Sequence, residues 1–192
     1  MSEELHDAAH LDELVDQWKA EDDVRREICD IGSRIWQRAF SAGNEGNISY
    51  RLSEHFIVCT PTMVSKGFLQ PKDLAVIDFD MHQIKGDRRY TSEIRLHMQI
   101  YKENPKVRAV VHCHPPHATA FGVAGEEIPL GVLPEPEIFL GAVPRAVYET
   151  PGTWDFAKTV LPHVKNANTV ILANHGTVSW DTQSVERAFW YT

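Results

Sequence analysis

Four residues of this 192-residue chain have the types and the spacing to hold one cation between them: His112, His114, His175 and Glu93. His112 and His114 lie two apart in KVRAVVHCH (106–114), a β-branched run that reads as a strand. Alternate residues of a strand share a face, so both imidazoles leave the same side. Two imidazoles so placed can grip one metal ion at about 2.0–2.1 Å each. Pro115 and Pro116 stop the strand just after the pair and set it at a strand end. His175 has an equivalent setting, after VILAN and before Gly176. Glu93 stands at the start of a helix, where the positive end of the helix dipole favours a carboxylate. Three neutral imidazoles and one carboxylate form a zinc-type set, and displacing the carboxylate opens a position for substrate. A His-x-His pair alone is a weak signal, because histidines also serve in cores and on surfaces.

The elements that position these residues follow from hydrophobic periodicity. Leu11, Leu14, Val15 and Trp18 recur at helical spacing, and Val24, Ile28, Ile31, Ile35 and Ala39 continue the stripe until Gly43, Asn44, Gly46 and Asn47 stop it. ISYRL (48–52) and FIVCT (56–60) read as paired strands, and LAVIDF (74–79) as a buried one before a turn at Gly86-Asp87. Thr91 or Ser92 can cap a helix that runs to about Asn104. After the strand at 106–114, HATAFGVAG suggests a short helix, and the stretch beyond Gly125 reads as irregular. A strand over 142–149, a helix from Thr153 to Val164 and the strand TVILANHG (169–176) follow, then a short VSW segment. Asp181 is expected to cap a last helix still running at Thr192, which reads as cut short. With no repeat and no linker, residues 1–192 read as a single α/β domain with a mixed or antiparallel sheet.

Composition narrows the function. The net charge of −8 and the lack of a basic stripe argue against a nucleic-acid partner. No apolar run reaches the roughly 20 residues that span a bilayer, and the acidic start MSEELHDAAHLDEL has no signal-peptide pattern. Cys29, Cys59 and Cys113 are an odd number at unrelated spacings, which points to a reducing cytoplasm rather than a disulfide framework. Among ten histidines, His6, His10, His55, His82 and His163 sit among polar neighbours and read as solvent-facing.

Taken together, GNEGNIS (43–49), TPT (60–62), TSE (91–93), AVVHCHPPHATA (109–120) and ANHGT (173–177) resemble the class II aldolase/adducin family in order and spacing. The resemblance runs from about residue 24 to the end of the chain. It implies a three-layer α/β/α sandwich around a predominantly antiparallel sheet, assembled as a homotetramer with sites at subunit interfaces. It implies His112, His114 and His175 as ligands of one divalent ion per chain, zinc for preference, with Glu93 as fourth ligand and acid/base. It places phosphate contacts at Gly46, Asn47, Thr62, Thr91 and Ser92, small or hydroxyl and amide residues suited to phosphate oxygens. The implied reaction is retro-aldol cleavage of a small phosphorylated ketose or related hydroxy-carbonyl compound.

Several residues depart from the family pattern. Met63 stands where the sugar-phosphate aldolases have glycine after TPT, which crowds the phosphate cradle. Lys66 reads either as a compensating charge on phosphate or, more plainly, as a solvated loop lysine. Leu133 falls near a family catalytic tyrosine, and LPEPEIFLG offers Glu135 and Glu137 instead. Glu137 aligns approximately with the acid/base of related dehydratases, against the plain reading of an exposed loop carboxylate. A dehydratase, a decarboxylase, a 4-epimerase or an adducin-like binding module are therefore the alternatives. Epimerases carry aspartate at the Glu93 position, and adducin heads have lost the metal ligands that this chain keeps. His97, four after Glu93, reads as a supporting or packing residue, and His117 as a substrate contact or a helix start. Cys113 and the tryptophans 36, 154, 180 and 190 read as packing residues.

Overall fold

A computed structural model describes residues 21–192. The periodic Leu11, Leu14, Val15 and Trp18, together with His6 and His10, lie outside the described residues. The described part of the first helix, α1, is 21–37. Eight strands follow in one sheet: β1 (Asn47–Arg51), β2 (Phe56–Cys59), β3 (Ala75–Asp78), β4 (Gln83–Lys85), β5 (Ala109–Cys113), β6 (Arg145–Ala146), β7 (Thr169–Leu172) and β8 (Gly176–Asp181). Their order is β4-β3-β2-β1-β5-β8-β7-β6. Every pairing is antiparallel except β6 with β7. The remaining helices are α2 (Ile94–Glu103), α3 (Pro116–Ala124), α4 (Pro134–Leu140), α5 (Trp154–Lys158) and α6 (Val185–Trp190).

Alternation along the strands supplies a core to each face of the sheet. Ile57, Val110, Val170 and Val178 pack with Leu96, Ile100 and Phe156 of α2 and α5. Ile48, Val58, Val111 and Cys113 pack with Ile28, Ile31 and Ile35 of α1 and Val185 and Phe189 of α6. These are the helix, sheet and helix layers of an α/β/α sandwich. Each wholly buried aliphatic side chain contributes about 1.5–3 kcal/mol. Among the described residues, no helix is long and apolar enough to cross a membrane.

Local chemistry explains where the elements differ from expectation. The helix expected to be capped by Thr91 or Ser92 begins at Ile94, with Glu93 at its N-cap and no side-chain cap bond. Thr91 is held in the extended chain instead, its N–H donating to the Thr60 carbonyl (3.0 Å). Asp181 does not cap α6; Ser184 does, accepting from the Arg187 N–H at 3.1 Å. Asp181 ends β8 and accepts from the backbone of Gln183 (2.7 Å). The last helix stops at Trp190 rather than running through Thr192. The stretch beyond Gly125 contains α4, entered through Pro134 at a first-turn position that needs no N–H. The strand expected over 142–149 shrinks to β6, and the short VSW segment lengthens into β8. The helix expected from Thr153 to Val164 is regular only as α5, and β4 was not anticipated.

Candidate metal centre

Three strand ends and one helix start converge where Asn47 opens β1 opposite His112 of β5. His112 shares the α2 face of the sheet with Val110 and is wholly buried. Its Nδ1 lies 2.7 Å from the Thr177 carbonyl oxygen. A carbonyl only accepts, so Nδ1 carries the proton and Nε2 presents a bare lone pair. That Nε2 is 3.2 Å from His114 Nε2 and 3.3 Å from Glu93 Oε2. The other Glu93 oxygen is 3.4 Å from His175 Nε2. Ligand atoms of the three histidines all fall within 4.8 Å of one another.

These spacings fit a cation. Two donors on a tetrahedral ion, each at about 2.0–2.1 Å, stand about 3.3 Å apart. A lone pair of His112 facing a carboxylate oxygen is repulsive without a positive charge between them. Burial pushes the His112 imidazolium down to about 4, with His175 and His114 adding to the drop and Glu93 opposing it. Burial likewise lowers His114 and His175, so all three are neutral at pH 7 and free to ligate. For Glu93, burial pushes the carboxyl up. The charge that His112 and His175 take up in acid, with the Asn47 hydrogen bond, outweighs it and leaves the group below the ordinary carboxylate range.

Glycine makes this convergence possible at two points. Gly46 has φ +77°, and a Cβ there would lie 2.8 Å from the His112 carbonyl oxygen. At Gly176 a Cβ would meet the Cys113 carbonyl oxygen at 2.5 Å and His114 Cδ2 at 2.6 Å. The His114 N–H donates to the Phe40 carbonyl (2.8 Å), and the His175 N–H closes its turn on Leu172 (3.1 Å).

With His112 buried behind them, three of the candidate ligands, Glu93, His114 and His175, open on a cavity of about 200 Å³. Its walls include Gly46, Asn47, Thr62, Thr91 and Ser92 together with Glu93, His114 and His175. Met63 is also in the wall, with φ +58° in the left-handed region and its side chain exposed. Lys66 is not a solvated loop lysine. It is 2% exposed, and its ammonium donates to the carbonyls of Asn44 (2.8 Å) and Val64 (2.6 Å), tying together two loops that flank the cavity. Burial lowers it to about 8. Nothing in its spacing signalled this role. Cys113 and Trp180 are buried as expected, whereas Trp36, Trp154 and Trp190 are exposed.

Glu137 and Leu133 do not join this group. They line a separate, largely apolar cavity of about 280 Å³ beside α4, where Glu137 accepts from the Gly131 N–H (2.6 Å). Glu135 borders a further cavity with Trp190, and His117 is exposed in the first turn of α3. Asp78, Asp80 and His82 also cluster, but Asp78 accepts from both other backbones in an exposed turn.

Residues 26–192 match the model of the Class II Aldolase and Adducin N-terminal domain. A 3-oxo-tetronate 4-phosphate decarboxylase of Cupriavidus necator is 34% identical, over 88% of this chain and 78% of that protein. An L-fuculose phosphate aldolase of Methanococcus vannielii is 35% identical, over 80% of this chain and 82% of that one. The solved structure of an L-fuculose 1-phosphate aldolase superposes with a TM-score of 0.81 at 25% identity, covering 88% of this chain and 79% of its own.

Proposed function

This chain belongs to the class II aldolase/adducin family, and on that footing we propose that it is a divalent-metal lyase cleaving a small phosphorylated ketose by retro-aldol reaction. One observation carries the reading. Three neutral imidazoles and Glu93 converge with neighbouring ligand atoms 3.2–3.4 Å apart, and Glu93, His114 and His175 line a cavity whose wall also includes all five expected phosphate contacts. His112, His114 and His175 would hold the ion, with Glu93 as a fourth, displaceable ligand. Nitrogen ligands with one carboxylate suit zinc. Bound there, the ion supplies Lewis acidity to a substrate carbonyl and its neighbouring hydroxyl.

The chain's own groups do the rest. Hydroxyls of Thr62, Thr91 and Ser92 and the backbone at Gly46 and Asn47 offer hydrogen bonds to phosphate oxygens. Glu93, displaced by substrate, takes the proton of the hydroxyl at the cleaved bond and passes it to the carbon left electron-rich by cleavage. Residues 1–192 form one catalytic domain in this reading. Exposed Ile128, Leu130, Leu133, Ile138 and Phe139 around α4 support self-association, here as a homotetramer in the cytoplasm. Glu137 then enters the chemistry only as a residue supplied to another copy's site.

Decarboxylation of a phosphorylated 3-oxo acid is the second reading. A retro-aldol step needs a base for the hydroxyl proton as well as an acid at carbon, whereas loss of carbon dioxide needs only the acid. Glu93 and Glu45 are the carboxylates lining the cavity, and Glu45 is bonded to the Ala42 and Gly43 backbone. The 34% identical decarboxylase favours this reading too. The metal-loaded protein should be offered ketose 1-phosphates, 3-oxo-tetronate 4-phosphate and their unphosphorylated analogues while aldehyde and carbon dioxide are measured. Aldehyde release dependent on phosphate is expected. Carbon dioxide without aldehyde selects the second reading, and turnover of none of them by metal-loaded protein contradicts both.

A further inference from the structure

Behind the candidate ligands runs a line of buried polar side chains that the proposed chemistry leaves without a task. Glu93, His97 and Tyr101 fall at every fourth position along the start and body of α2 and share one face. Asn47 and Ser49 are alternate residues of β1 and share the sheet face opposite them. Asn47 Nδ2 donates to Glu93 Oε2 at 2.7 Å, and Asn47 Oδ1 lies 2.6 Å from His97 Nε2. His97 Nδ1 lies 2.6 Å from Ser49 Oγ, which is 2.8 Å from Tyr101 Oη. His97, Ser49 and Tyr101 are wholly buried and Asn47 is 3% exposed.

The sense of each bond follows from its neighbour. A metal-ligating carboxylate only accepts, so Asn47 turns its amide N–H to Glu93 and its Oδ1 to His97. Oδ1 only accepts, so His97 is protonated on Nε2. Its Nδ1 must then accept, from the Ser49 hydroxyl, and the Ser49 oxygen is left to accept from the Tyr101 phenol. Reversing any bond sets two donors or two acceptors face to face and leaves a buried polar group unsatisfied. Apolar side chains would fill this space without that constraint.

We propose that the Tyr101–Ser49–His97–Asn47 chain is a positioning relay that orients the Glu93 carboxylate toward the metal position and holds it beside the cavity once substrate displaces it from the ion. The side chains of His97 and Asn47 act through Glu93 and not on substrate, and the inference rests on the metal-centre reading of that residue.

The test needs one measurement without metal and one with it. In the metal-free, ¹⁵N-histidine-labelled protein, long-range ¹H–¹⁵N spectra should show His97 as the neutral tautomer protonated at Nε2. Protonation at Nδ1 overturns the relay. Co²⁺ is then titrated, with a competing chelator and by visible absorption, into wild type, Asn47→Ala, His97→Gln, Glu93→Gln and Asn47→Ala/Glu93→Gln. Asn47→Ala and His97→Gln should each weaken Co²⁺ by about 10–100-fold. Each should shift its spectrum toward that of Glu93→Gln, and Asn47→Ala should add little once Glu93 is already glutamine. Unchanged spectra or additive losses overturn the proposal while the metal centre stands. A wild type that takes no Co²⁺ removes both.

Discussion

Met63 shows how much one residue can report. Its sequence position, after TPT, is where family aldolases keep glycine, and its backbone does adopt the left-handed conformation that favours glycine (φ +58°). An L-residue there costs about 1–2 kcal/mol, against a glycine entropy cost of about 0.5–1 kcal/mol. Met63→Gly should therefore raise stability by up to about 1 kcal/mol, or a few degrees in melting temperature for a chain of this size. The thioether gives up only a weak bond from Asn44 Nδ2 (3.3 Å). A clear drop in melting temperature would mean that the methionine is a packing residue. His97 gives a prediction in pH. Burial lowers it to about 3, with His112 adding and Glu93 opposing, whereas an unfolded histidine titrates near about 6.5. Its contribution to stability is complete above the unfolded value and is lost as pH falls toward the folded one, because only the unfolded state takes up the proton. The metal-free protein should lose up to about 1.4 kcal/mol per pH unit from this residue below pH ~6, and His97→Gln should show a shallower slope. Equal slopes in urea titrations of the two proteins would contradict the burial of a neutral His97. Residue types foretold which histidines converge, because His112 and His114 sat at a readable strand end. Lys66 escaped because its burial depends on carbonyls contributed by two different loops.

Elements were legible where apolar periodicity is strong and local. The β1–β2 hairpin, β3, the β-branched β5 and the stripe of α1 all stand close to where their patterns place them. Prolines hid α4, and β4 is wholly exposed, so no alternation marks it. The run 169–176 looked like one strand because nothing in its hydropathy announces the turn at Asn174, φ +57°, that reverses the chain into β8. That turn delivers His175, and Gly176 lets β8 start against the end of β5. Gly176→Ala should force apart the Cys113 carbonyl and the His114 ring, destabilising the fold by about 1–3 kcal/mol and weakening metal binding together. Ser184→Ala is the matching control at an element far from the cavity. Loss of its helix cap should cost about 1 kcal/mol and leave metal affinity unchanged. Thermal melts with parallel zinc titrations separate the two, and equal effects on affinity would contradict the placement of Gly176 at the site.

For the whole molecule, the sandwich assembles the site from distant segments, bringing Asn47 against Glu93, 46 residues on, and into the cavity wall with His175, 128 residues on. Periodicity and tight turns indicated one α/β domain with a mixed or antiparallel sheet, and the three layers were implied by the family resemblance. Of the buried relay behind the ligands, only His97 was legible as a supporting residue, because Ser49 and Tyr101 gain meaning only once α2 lies over β1. The exposed apolar surface near α4 belongs to this scale as well. Sedimentation should give a multiple of the 21.8 kDa chain mass, and Phe139→Asp should lower it. A wild-type monomer would contradict self-association through that surface. The central claim, that His112, His114 and His175 hold a divalent ion, is tested most directly by elemental analysis. Wild type and His112→Ala/His114→Ala are each equilibrated with zinc and dialysed before the metal is counted. The account predicts about one zinc per wild-type chain and almost none in the double variant, since one imidazole and a carboxylate make an incomplete set. Stoichiometric zinc in the double variant, or none in wild type, would contradict it.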